Sequence, residues 1–183
     1  RALRVLNHFR LAERPLLIFV SGLPGSGKSY FASRLSEKID ALYINSDQLR
    51  KEMFPSRTYS AEEKAKVYKA MLEKMNSAII QKKNLVLDAT FHRNETRQLF
   101  TKNAKRNALL YFIEVQADEN LTKERLKKRR PYSEADYEVY QLIRKNWEPL
   151  EEPHLTLEST NENITYLLEK ATQYLNNDKE GNR

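Results

Sequence analysis

The sequence predicts an α/β domain in which helices cover both faces of a parallel sheet, and three observations predict it. Short apolar runs recur along the chain, helical patterns separate them, and the first run ends at a glycine-bearing loop that leads into a helix-forming stretch. Alternation of this kind builds βαβ units, whose strands pair in parallel. The runs are Leu16 to Val20, Leu42-Tyr43-Ile44, Leu85-Val86-Leu87, Leu109 to Val115 and the weaker Leu155-Thr156-Leu157. Unbroken apolar stretches of this length, closed by turn residues, suit strands buried on both faces. They predict strands over 15–21, 42–45, 84–88, 109–115 and 154–158.

The helical segments carry their own signals. Residues 1–13 read as a short amphipathic helix with Val5, Leu6 and Phe9 on one side, stopped by Pro15. Ser60 with Glu63 reads as a capping box, after which Val67, Met71, Met75 and Ile79 recur every four residues as an inward stripe. Ser159 with Glu162 reads as another helix start, leading into Leu167, Leu168, Ala171 and Leu175. Ser133 and Asp136 are placed to cap a helix that runs to Trp147. The expected organisation is an N-terminal helix or linker over 1–14, one domain over 15–176 and a polar tail over 177–183.

Composition narrows the class. A chain of 183 residues with 40% apolar content builds one ordinary core. No stretch reaches the ~18 consecutive apolar residues that a membrane span needs. The absence of cysteine excludes disulfides and thiolate metal sites, and makes the cytoplasm the expected location. Lysine and arginine outnumber acids 32 to 25, and much of the +7 excess lies in Lys102 to Arg106 and Lys123 to Arg130. Such clusters suit either a solvated face or a phosphate-rich partner, nucleic acid included.

The loop after the first strand is specific. Gly22-Leu23-Pro24-Gly25-Ser26-Gly27-Lys28-Ser29 matches G-x-x-x-x-G-K-[ST] at every fixed position, with Tyr30 continuing into the helical stretch. Glycines let the backbone wrap a phosphate with its N–H groups inward, and the helix that follows aims its positive end at the same anion. Lys28 supplies a point charge for the β- and γ-phosphates, and the Ser29 hydroxyl is a ligand for Mg²⁺. Average residue usage gives such a string by chance well under roughly once in a hundred chains of this length. Residues 22–30 are therefore assigned to the phosphates of a nucleotide, which the resemblance given below implies to be ATP.

Further chemistry lies at the ends of the other strands, where open α/β sheets hold ligands. Asp47 follows the second strand and suits a general base for an attacking hydroxyl, or equally a helix N-cap. Arg50, one helical turn later, can face the same acceptor. Asp88 closes the third strand as a carboxylate near the metal, or as a loop anchor. His92, Arg93 and Arg97 follow, with Arg93 and Arg97 expected at the acceptor, or equally on a solvated helix start; no second His or Cys is spaced to make His92 a metal ligand. Arg125 and Arg129, four apart on a basic helix, suit a lid that stabilises charge on the transferring phosphoryl group, with Pro131-Tyr132 as its hinge.

With these residues in place the chain resembles the P-loop kinases grouped with polynucleotide kinases and zeta toxins. Among them it is most similar to bacterial kinases that often follow an aminoglycoside-phosphotransferase-like domain. The resemblance rests on Gly22 to Ser29, Ser46-Asp47-x-x-Arg50, Asp88-Ala89-Thr90-Phe91, Arg125-Leu126-x-x-Arg129, and Ser133-Glu134-Ala135-Asp136 leading to Trp147-Glu148-Pro149-Leu150. It spans residues 15–170 and implies a three-layer P-loop NTPase fold with a five-stranded parallel sheet in the order 2-3-1-4-5. It also implies an acceptor base at Asp47 and lid arginines at Arg125 and Arg129, on a lid that here lacks the glycine-bearing insertion of many relatives. A fused phosphotransferase-like domain would suit a chain that begins without Met. The expected activity is an ATP- and Mg²⁺-dependent kinase acting on a polynucleotide 5′-hydroxyl or a small-molecule hydroxyl. The rival readings are an ATP-binding regulatory module without an acceptor and a zeta-toxin-like nucleotide-sugar kinase.

Overall fold

Five strands pair in parallel in one sheet: β1 (Leu16–Ser21), β2 (Leu42–Asn45), β3 (Leu85–Asp88), β4 (Leu109–Gln116) and β5 (Leu155–Glu158). Their order is β2-β3-β1-β4-β5, as expected. The computed structural model describes residues 14–58, 60–128 and 135–181. The expected helix over 1–13, Ser133, the Pro131-Tyr132 hinge and Arg129 all lie outside the described residues. The helices are α1 (Lys28–Lys38), α2 (Ser46–Met53), α3 (Ala61–Ile80), α4 (Asn94–Ala104), α5 (Glu119–Lys127), α6 (Tyr137–Lys145) and α7 (Ile164–Gly181).

The central strands are buried along their whole length, because each has helices on both sides. Side chains alternate between faces, so each strand feeds two cores. Leu17, Phe19, Leu85 and Leu87 pack against Met71 and Met75 of α3 and Phe100 of α4. Ile18, Val20, Val86 and Ile113 pack against Phe31 and Leu35 of α1 and Leu167 and Ala171 of α7. Phe19 stacks on Phe112 at 4.8 Å and meets the edges of Phe91 and Phe100 at 5.6 and 6.3 Å. Register fixes the functional edge: Val20 and Asn45 both stand opposite Asp88, so three strands finish together.

Three local expectations change. Ser60 caps α3, accepting from Glu63 N at 3.0 Å, but the Glu63 carboxylate turns to the Thr58 amide and hydroxyl at 2.8 and 2.7 Å instead of closing the box. The buried stripe of α3 runs Val67, Met71, Met75 and then Ala78, with Ile79 only half-buried. Steps of four overshoot a 3.6-residue turn, and the stripe corrects itself with a step of three. Helix α7 begins at Ile164, where Asn163 Oδ1 accepts from Thr160 N at 2.8 Å, so Ser159 does not cap it. As expected, Asp136 caps α6, accepting from Val139 N at 3.0 Å. No described helix is long and apolar enough to cross a membrane.

Candidate functional site

The loop between β1 and α1 is built to leave its backbone bare. A Cβ on Gly22 would lie 2.5 Å from the Val115 carbonyl oxygen and 2.7 Å from Ser26 Oγ, so no side chain fits there. Gly25 and Gly27 adopt φ of 78° and 87°, a left-handed backbone that L side chains resist. Ser26 N donates to Leu23 O at 3.1 Å, closing the turn over Pro24, and Phe31 N donates to Gly27 O as α1 starts. The first amides of α1 thus stand at the mouth of a cavity of about 640 Å³, lined by Gly25, Gly27, Lys28, Ser29, Tyr30 and Asp47 among others. Free amides at a helix start favour an anion, and the cavity is of ligand size.

Two elements brace this loop from outside. Helix α5 lays Thr122 and Leu126 against Gly25, where an added Cβ would come within 3.0 and 3.2 Å of them. From the same helix, Arg125 Nη1 donates to Gly25 O at 3.2 Å and to Ser159 Oγ at 2.9 Å, while Nε and Nη2 reach Asn161 Oδ1 at 3.4 and 3.3 Å. Ser159 in turn donates to the Ser26 carbonyl. Arg125, expected as a mobile lid group, is in this arrangement fastened to the loop and to the β5–α7 connection as a wall of the cavity. Sequence reasoning missed Ser159 and Asn161. Their position just past β5, at the ligand edge of the sheet, was the available signal, but Ser-x-x-Glu suggested a cap instead.

The ends of β2 and β3 meet beside Ser29. Asp88 is wholly buried; its Oδ2 accepts from the Tyr43 hydroxyl at 2.5 Å and from Asn45 Nδ2 at 2.6 Å. The same amide lies 3.2 Å from Ser29 Oγ, and Asn45 Oδ1 caps α2 by accepting from Gln48 N at 2.8 Å. Burial first, then the charge of Asp88, pushes the Tyr43 hydroxyl well above the usual tyrosine range, so it remains a donor. Tyr43 and Asn45 were also missed; only the strand register brings them to Asp88.

Asp88 Oδ1 is buried with no partner. A buried anionic oxygen left bare is costly, and hydrated Mg²⁺ would satisfy it. Ser29 and Asp88 are hard oxygen donors of the type this ion takes. No cluster of three acidic, His or Cys ligands exists among the described residues. The residues therefore fit magnesium.

Because Asn45 supplies the cap, Asp47 is released from that alternative role. Its carboxylate is half-exposed at the cavity, in the second position of α2, and is near enough to Tyr68 for its charge to act on that hydroxyl. Arg50 is 7% exposed, with Nε and Nη2 unpartnered. Arg93 is exposed at the start of α4, and its charge, after desolvation, lowers the pKa of Lys64. His92 is buried, its Nδ1 3.3 Å from Thr90 Oγ1. Burial, then the charges of Lys64 and Arg93, pushes its pKa down to about 4.

Arg97 is a correction. Expected at the acceptor, it is 0% exposed, with Nη1 donating to Phe91 O at 2.7 Å and Nη2 to Glu148 O and Pro149 O at 2.9 and 3.0 Å. It pins the β3–α4 loop, including Phe91 at φ 47°, to the segment after α6 and presents nothing to a ligand.

The family model described as AAA domain matches residues 17–150. A search of curated proteins gives no significant match. Among solved structures, a gluconokinase from Sinorhizobium meliloti is 18% identical with TM-score 0.69, covering 91% of this chain and 95% of its own. The APS kinase of Mycobacterium tuberculosis, in complex with AMPPNP and APS, is 17% identical with TM-score 0.68, covering 89% and 98%. Chaetomium thermophilum Kti12, in complex with ADP-AlF3, is 21% identical with TM-score 0.63, covering 86% and 97%. At these identities the likeness establishes a shared P-loop fold.

Proposed function

The chain belongs to the AAA domain family, and from that premise we propose that it is an ATP-dependent kinase that transfers the γ-phosphoryl group to a hydroxyl acceptor. The carrying observation is Asp47: a carboxylate freed from capping by Asn45, lining the same cavity as Lys28 and Ser29. Solved relatives that share the fold include a gluconokinase and an APS kinase, and the latter holds a triphosphate analogue. Residues 22–30 hold the triphosphate, with the loop amides and Lys28 on its oxygens. Asp47 accepts the acceptor's proton as the new O–P bond forms and the bridging O–P bond to the β-phosphate breaks, releasing ADP. Ser29 and Asp88 would hold Mg²⁺, which would supply neutralisation of phosphate charge when bound. Arg125 lies along the nucleotide, and Arg129 is assigned to the transferring group.

The test is ADP release measured over a panel of hydroxyl compounds. Acceptor-stimulated turnover should fall about 10²- to 10⁴-fold in Asp47→Asn, with nucleotide affinity kept, and vanish in Lys28→Ala. Tight nucleotide binding with no stimulation by any acceptor would instead identify a nucleotide-dependent regulatory module.

A further inference from the structure

The Asp88 carboxylate is held by one oxygen only. Asp88 is wholly buried, and the two residues that hold it, Tyr43 and Asn45, line the cavity together with Ser29. Both reach the same atom: Oδ2 accepts from the Tyr43 hydroxyl at 2.5 Å and from Asn45 Nδ2 at 2.6 Å. Oδ1 has no partner. The Asn45 amide also lies 3.3 Å from the Tyr43 hydroxyl and 3.2 Å from Ser29 Oγ. The donors around Oδ2 therefore form one connected set, which ends at the hydroxyl assigned to Mg²⁺.

Strand register explains why a tyrosine stands here. β2 is an edge strand, with Asn45 opposite Asp88 and Tyr43 opposite Val86. Residues two apart share a face, so Tyr43 looks toward Asp88 from roughly 6.6 Å further back along the strands. A long side chain with a terminal donor crosses that gap. For packing alone the hydroxyl is unnecessary, since the ring sits against the cluster that contains Phe31 and Val86. A carboxylate with one oxygen doubly engaged has a fixed orientation and one acceptor left. Groups that hold a metal-side carboxylate in this way orient it and tune its affinity. A single offered oxygen suits Mg²⁺, which demands octahedral geometry. It suits Ca²⁺ less, because that ion gathers about six to eight oxygens and takes carboxylates through both.

Resting on the nucleotide and magnesium assignments above, we infer that Tyr43 is a positioning residue whose hydroxyl fixes Asp88 so that only Oδ1 is offered to a cation, and that it thereby selects Mg²⁺ over Ca²⁺. The role is separate from that of Asp47, which stands on α2 and activates the acceptor.

The test is AMPPNP binding to the full chain, titrated with MgCl2, with CaCl2 and in EDTA. In Tyr43→Phe the Mg²⁺ concentration at half-saturation should rise about tenfold, as expected when a group that holds a metal-side carboxylate is lost. The corresponding Ca²⁺ value should rise less, so the preference for Mg²⁺ narrows. Affinity in EDTA should be unchanged, because the loop amides and Lys28 hold phosphate without this hydroxyl. Asp88→Asn should weaken the Mg²⁺ response by itself, and adding Tyr43→Phe should then change nothing further, since the hydroxyl acts through that carboxylate. Where Asp88→Asn fails to fold, the two cation titrations of Tyr43→Phe decide alone. An unchanged or stronger Mg²⁺ response in Tyr43→Phe overturns the proposal. So do equal losses for both cations, a loss of affinity in EDTA, or effects that multiply in the double variant. Separate measurement of phosphoryl transfer keeps the two readings apart. A Mg²⁺ response that depends on Tyr43, without transfer to any acceptor, keeps the positioning role and removes the kinase. Transfer with no such dependence does the reverse.

Discussion

The charge state of His92 is imposed by what surrounds it, and this makes acid stability a probe of the loop after β3. Its folded pKa of about 4 lies below the ordinary histidine value of 6.5, because burial and two neighbouring cations disfavour the imidazolium. The unfolded chain therefore binds a proton that the folded one refuses. The contribution to stability is complete above pH 6.5 and is lost as pH falls toward 4. Allowing for partial solvent screening, the loss is roughly 2 kcal/mol. His92→Asn should flatten the fall in the denaturation midpoint between those pH values and leave its neutral value less changed. An acid limb as steep in the variant as in the parent would assign the titration to other groups. The same scale explains Asp47: a single carboxamide at Asn45, bonded to Gln48 N, Asp88 and Ser29, decides which carboxylate is structural and which is left for chemistry.

Between elements, the decisive contact is Arg97. It ties α4 to the Phe91 carbonyl and to two carbonyls that lie 51 and 52 residues further along the chain. Arg97→Met should leave three carbonyls with no donor, at about 1–3 kcal/mol for each one that water cannot reach, so a loss on the order of 4 kcal/mol is expected in denaturant unfolding. Arg97→Lys should rescue little, since one ammonium cannot span a planar fork. Retained stability with a raised acceptor KM would return Arg97 to the binding site. The strands, the P-loop and the caps of α3 and α6 were legible because each is written within a few neighbouring residues. Arg97 was not, because its partners depend on how the chain returns after α6. Ser159 was misread for a related reason: Ser-x-x-Glu describes a cap locally, while the hydroxyl is claimed by Ser26 and Arg125 across the sheet edge. Asn45 and Tyr43 needed the register of β2 on β3.

Across the whole molecule the nucleotide loop is a junction. It is continuous with β1 and α1, packed by Thr122 and Leu126 of α5, and tied through Ser159 to the connection after β5. A ligand seated on its amides thus engages segments that are far apart in sequence, and its binding energy adds to global rather than local stability. Linkage sets the size: at a hundred times Kd, a ligand that binds only the folded state adds about 2.7 kcal/mol. For a chain of this length that corresponds to a rise in Tm of about 5–10 °C. AMPPNP with Mg²⁺ should produce such a rise, and added salt should reduce it, because a chain of net charge +7 attracts a polyanion partly through screened interactions. Lys28→Ala should abolish most of the rise while leaving the ligand-free Tm nearly unchanged, since that ammonium lines the cavity and makes no ion pair among the described residues. A rise of equal size in the variant would place the nucleotide somewhere other than the loop between β1 and α1.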